Sequence, residues 1–141
     1  MRSSEPKAPM RLARILAVLG ITGLLAAVPV RASDFDGSRL LICAPVQAFD
    51  CEPGEDCEKG LPEDVGAPAF IRIDVANKAV IGPKRTSPIL LVDTSGGQLL
   101  LQGSELGYGW IIAIDQETGK MTGALANHED AFVLFGACTV P

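Results

Sequence analysis

The chain has 141 residues, with 12 Lys+Arg, 17 Asp+Glu and one histidine. Five of the basic residues (Arg2, Lys7, Arg11, Arg14, Arg31) and one acid, Glu5, fall in the first 32 positions, so residues 33 to 141 carry 7 Lys+Arg against 16 Asp+Glu, a formal charge of −9. Nucleic acids and anionic lipid surfaces are held by clustered cations, which this region does not offer, so both are excluded as partners; a basic protein suits the charge, which also serves solubility.

The first segment reads as a secretory signal peptide over residues 1–32. A basic leader precedes an apolar run from Ile15 to Val28, 14 residues that fall short of the ~20 needed to span a bilayer. Val30 and Ala32 then provide small residues at a cleavage site before Ser33. Cleavage leaves 109 residues, one domain by length, with no membrane contact afterwards and a periplasmic or secreted location. Oligomeric state is not legible.

From Ser33 the chain predicts an all-β domain. Residues 33–38 are polar and read as frayed. Leu40–Cys43 is the first short strand. Residues 44–68 hold four prolines, three glycines and seven acids against one lysine, which reads as a long acidic loop containing two cysteines. Phe70–Val75 and Ala79–Ile81 form a hairpin around Ala76-Asn77-Lys78. Pro88–Thr94 and Leu99–Leu101 flank Ser95-Gly96-Gly97, a tight-turn signal because glycine supplies positive φ at little steric cost. Trp110–Asp115 alternates, turns at Gln116–Gly119 and returns over Lys120–Ala126. After a polar turn at Asn127–Asp130, Ala131–Thr139 is the last strand, apolar on both faces.

About eight short strands in sequential hairpins predict a small antiparallel up-and-down barrel or sandwich. All four cysteines lie in the exported part, and an even count there implies structural disulfides. A closed meander makes its first and last strands neighbours, which predicts Cys43–Cys138 and leaves Cys51–Cys57 to tie the loop.

Chemistry-bearing patterns are sparse. His128 sits in a turn just before two acids, Glu129 and Asp130, where adjacent side chains do not converge on one point. No nucleophile elbow, phosphate loop or dinucleotide fingerprint occurs. Asp50, Glu52, Glu55, Asp56 and Glu58 offer oxygens that calcium could use, but without the ligand spacing of an EF-hand loop. They read better as an acidic surface for a partner, so no metal, cofactor or catalytic residue is assigned. Tyr108 and Trp110, flanked by Gly107 and Gly109, are candidate aromatics at a barrel mouth, where an apolar ligand would sit; in a small filled barrel Trp110 would instead be core.

The segments Phe70-Ile71-Arg72-Ile73-Asp74 and Trp110-Ile111-Ile112-Ala113-Ile114-Asp115, the Thr118-Gly119-Lys120 turn and the Phe135-Gly136-Ala137-Cys138-Thr139 ending together resemble small uncharacterised periplasmic proteins of proteobacteria. Ser95-Gly96-Gly97-Gln98 is more distantly similar to the Ser-Gly-x-x-Tyr loop of the periplasmic inhibitors of chicken-type lysozyme, with Leu99 in place of the tyrosine. That resemblance implies an eight-stranded barrel with a disulfide, and an acidic surface suited to a basic lysozyme. The expectation from the sequence is a non-catalytic exported binding or accessory domain, with inhibition of a cell-wall hydrolase as the alternative.

Overall fold

Alternation of apolar and polar residues from Ile71 onward puts every second side chain on one face, and the sheet buries that face by curling onto itself. The computed structural model describes residues 33–141; the signal peptide expected over residues 1–32 lies outside them. The strands are β1 (Leu41–Cys51), β2 (Glu58–Gly60), β3 (Ile71–Asp74), β4 (Ala79–Ile81), β5 (Thr86–Asp93), β6 (Gln98–Glu105), β7 (Tyr108–Asp115), β8 (Lys120–Ala126) and β9 (Ala131–Thr139). Consecutive strands from β3 to β9 pair antiparallel, and β1 pairs with both β3 and β9. Eight strands therefore close a barrel, with β2 as one extra strand against the second half of β1. Closure decides for a barrel over a sandwich and leaves few open strand edges. Among the described residues no helix is long and apolar enough to cross a membrane.

Two expectations need correction. Residues 44–68 are not one long loop: β1 runs on to Cys51, β2 follows, and Pro62–Val65 makes a short 3-10 turn. Pro45 lacks a ladder donor, yet the strand accommodates it because the β1–β9 register shifts between Pro45 and Gln47, leaving Val46 bulged and exposed. Pairing with all of β9 then overrides the local composition. Nor is the start of the domain frayed. The Ser33 hydroxyl donates to the Gln116 carbonyl, and Phe35 packs against the buried core. The composition of 33–38 hides this, because one aromatic in a polar stretch carries no periodicity.

Two disulfides, Cys43–Cys138 and Cys51–Cys57, tie the fold. Cys43 and Cys138 face each other in the β1–β9 register, so their bridge staples the seam at which the barrel closes. Cys51–Cys57 joins the end of β1 to the start of β2. Paired cysteines of this kind persist in oxidising compartments outside the cytoplasm.

The two ends of the barrel differ. One end carries the start of β1, the end of β9 and the β3–β4, β5–β6 and β7–β8 turns. Leu41, Ile73, Leu99, Leu101 and Ile114 fill it, each at 0% exposure. Its turns are built on aspartates whose carboxylates accept backbone N–H groups: Asp74 from Asn77, Asp93 from Ser95, and Asp115 from Glu117 and Thr118. In the β5–β6 turn Gly96 and Gly97 both take positive φ, 69° and 75°. The opposite end is built differently and holds the candidate site.

Candidate functional site: a half-filled barrel

At the open end the wall is incomplete. β3 has four residues and β4 three, too few to match the eight of β5 to β7. Beside β1 the place of a longer β3 is taken by the segment 61–68, whose Glu63, Val65, Gly66, Ala67 and Pro68 line the interior. A cavity of about 540 Å³ results, entered from this end. Its walls are largely apolar: Ile71, Val80, Trp110, Ile112, Met121, Leu125, Phe132 and Leu134. Gly123, inward-facing on β8, contributes no side chain to fill it. Small barrels of eight strands commonly have room for either interior side chains or one small ligand; this one uses the first solution at one end and leaves space at the other.

Trp110 sets the geometry of the cavity. Gly103 is its partner in the β6–β7 register. The indole lies across that glycine, where a Cβ would overlap the ring and the Pro88 carbonyl. Trp110 Nε1 donates to Ser87 Oγ at 2.9 Å. Trp110 is 8% exposed and Ser87 6%. The two readings of Trp110 thus merge: it is buried, and it is also cavity wall. The glycine opposite a tryptophan was the available sequence signal, but register had to be known before the two could be set against each other.

Tyr108, one inward position nearer the opening, is half-buried. Its ring meets that of Phe132 at 5.8 Å, tilted by 39°. Its hydroxyl donates to Asp130 Oδ1 at 2.8 Å. That bond, with burial adding to it, raises the phenol above its ordinary value of 10.0. Asp130 is itself held by its backbone N–H, which donates to Asn127 Oδ1 at 2.8 Å. Tyr108 and Trp110 therefore stand at different depths of the same end, one at the rim and one inside.

The charged groups of the lining are Glu63, Lys84, Arg85 and Glu105. Arg85 Nε and Glu105 Oε1 form an ion pair at 3.6 Å that links the β4–β5 turn to the end of β6. The acidic residues Asp50, Glu52, Glu55, Asp56 and Glu58 lie on the β1–β2 hairpin, which rises at this same end. Asp50 and Glu58 are opposite each other in register. Glu52, Glu55, Asp56 and Glu58 are exposed and Asp50 is half-buried. Among the described residues no three His, Cys, Asp or Glu side chains converge on a point fit for a metal ion. His128 is 89% exposed in the β8–β9 turn, 3.6 Å from Glu129 and with Asp130 engaged by Tyr108. Sequence reasoning missed Ser87, Gly103, Arg85 and Glu105, each an ordinary residue until the strand register brings it to the cavity.

No family model, curated protein or solved structure matches the chain.

Proposed function

We propose that the exported domain is a non-catalytic binding module, periplasmic or secreted, that takes a small ligand into the open half of its barrel. The observation carrying this reading is the cavity of about 540 Å³, walled by apolar side chains and open at one end. Its volume falls within the ~300–1,000 Å³ of small-molecule sites, and its lining has their usual character, apolar with a few placed polar groups. Core packing alone would favour filling such a space, since voids forfeit dispersion contacts and destabilise a small domain. The lone histidine faces solvent and is not among the residues lining the cavity.

Trp110 is the one tryptophan and forms part of the wall, so its emission reports occupancy without a label. Titration of the exported protein with the uncharged apolar probe N-phenyl-1-naphthylamine should quench Trp110 emission and raise Tm. A ligand that binds only the native state at 100 times its Kd adds about 2.7 kcal/mol of stability. Unchanged emission and unchanged Tm would overturn the reading.

The alternative, inhibition of a cell-wall hydrolase, is supported by the formal charge of −9 and by the exposed Ser95-Gly96-Gly97 turn. That turn lies at the filled end, away from the cavity. Binding to a basic lysozyme that survives Gly96→Pro but is lost when the acidic hairpin is neutralised would place any such contact on the hairpin instead.

A further inference from the structure

Apart from the four charged residues and the indole, Ser87 is the one polar side chain of the lining among the described residues. Ser87 Oγ receives the Trp110 Nε1–H, which commits the indole donor and one oxygen lone pair. The hydroxyl still has its own hydrogen to give. Among the described residues no carbonyl, carboxylate or amide oxygen accepts it. Ser87 is 6% exposed and lines the cavity. The oxygen is already partnered by the indole, so no buried side-chain atom is orphaned among the described residues; an acceptor that takes up the remaining hydrogen gains a hydrogen bond inside an apolar wall.

Charge narrows the class further. The four charged groups of the lining are two acids and two bases, and one pair is already joined as Arg85–Glu105. They cluster toward the opening with the 61–68 segment and the β4–β5 turn. Farther in, the walls are Ile112, Met121, Leu134 and the indole, and an ion placed among them would lose its hydration without gaining a partner. The acidic hairpin from Asp50 to Glu58 stands at the same end and raises the cost of approach for an anion.

We infer that the cavity takes an uncharged, predominantly apolar molecule carrying a carbonyl or ether oxygen, which accepts a hydrogen bond from Ser87. This rests on the cavity being a binding site, and it adds the ligand's polarity and its point of attachment. Ser87 is the specificity-determining residue. It distinguishes an oxygen-bearing ligand from a hydrocarbon of the same shape, and its bond from Trp110 fixes the hydroxyl oxygen in place.

Three probes of matched length test it, each followed by Trp110 emission and by displacement of N-phenyl-1-naphthylamine: 2-octanone, 1-octene and octanoate at neutral pH. The ketone should bind at least tenfold more tightly than the carboxylate. Ser87→Ala should weaken the ketone about fivefold while leaving the alkene within twofold, because one neutral hydrogen bond is lost and the apolar wall is kept. The indole N–H freed in that variant can donate to the ketone and not to the alkene, so the hydroxyl is isolated by comparing Ser87→Ala/Trp110→Phe with Trp110→Phe, both read by displacement of N-phenyl-1-naphthylamine. Ser87→Thr, which retains a hydroxyl, should restore the ketone-to-alkene ratio. Octanoate binding as tightly as 2-octanone, or Ser87→Ala weakening ketone and alkene alike, would overturn the inference while leaving the cavity a binding site. Failure of all three probes and of N-phenyl-1-naphthylamine would remove the binding site itself.

Discussion

The filled and open ends of this barrel are made from the same strands, and they solve opposite problems. At the filled end inward positions carry Leu41, Ile73, Leu99 and Ile114, all fully buried, and Phe35 packs onto that core from outside the strands. Turns there are pinned by Asp74, Asp93 and Asp115. At the open end β3 and β4 stop short, Gly123 withholds a side chain, and charged residues stand where a core would have aliphatic ones. The difference teaches a division of labour: one half supplies the stability that lets the other half remain partly empty. A domain of this size has only about 5–15 kcal/mol in total, so the empty half must be supported by tight packing and a staple elsewhere.

Removing the staple should have the largest effect. The Cys43–Cys138 bridge closes 95 residues of chain, and the chain-entropy model gives up to about 4.7 kcal/mol for a loop of that order. Cys43→Ser with Cys138→Ser should therefore unfold or severely destabilise the domain in urea denaturation. The same exchange at Cys51 and Cys57, which are 6 positions apart, should cost about 2 kcal/mol by that model and loosen chiefly the acidic hairpin. Equal losses would contradict the importance given to the barrel seam.

Packing gives the next contrast. Leu99→Ala in the filled end should cost roughly 3 kcal/mol, because the removed methyl groups leave a void that rigid neighbours cannot close. Leu125→Ala at the open end should cost about 1 kcal/mol, since its side chain already borders space. Chemical denaturation of both variants checks the pair. Gly103→Ala is a sharper probe of the open end. The added methyl group overlaps the Trp110 ring, so the indole must move, with a loss of about 1–3 kcal/mol and a red shift of Trp110 emission. An unshifted emission would mean that the ring does not lie on that glycine.

Acid should erode the filled end by a smaller amount. Hydrogen bonds from Asn77, Ser95 and Thr118 hold the carboxyls of Asp74, Asp93 and Asp115 below their ordinary value of 3.8. Unfolded chains then bind more protons than folded ones in the window between the depressed folded values and 3.8. The stabilisation is full above that window and is lost as pH falls through it. Tm should be flat from pH 7 to about 5 and decline below about 4. Replacing the three aspartates by alanine should flatten the decline, and an unchanged acid profile would show that the turns are not its source.

How much of this was legible from residues alone follows from what each signal depends on. Hairpins from Ile71 onward rest on local alternation and turn glycines, and these carry through to the structure. Closure of β1 on β9 is a long-range pairing, yet it could be argued from the meander and the cysteines together. Extension of β1 to Cys51 could not, because Pro45 and the acids of that stretch oppose a strand locally and only the full β9 partner outweighs them. The cavity was the least legible feature. It arises from what is missing, two short strands and an inward glycine, and a sequence window registers residues rather than unfilled space. Tyr108 and Trp110 lie at the end that holds the cavity, but Ser87, Arg85 and Glu105 became visible only with register.

The most direct test of the two-ended barrel is methyl NMR of residues 33–141 titrated with 2-octanone. Shifts are expected among the methyl groups that line the cavity, those of Val65, Ile71, Val80, Ile112, Met121, Leu125 and Leu134, while Leu41, Ile73, Leu99 and Ile114 stay fixed. Shifts spread through the filled end, or limited to the outward-facing Leu90 and Leu91, would contradict it.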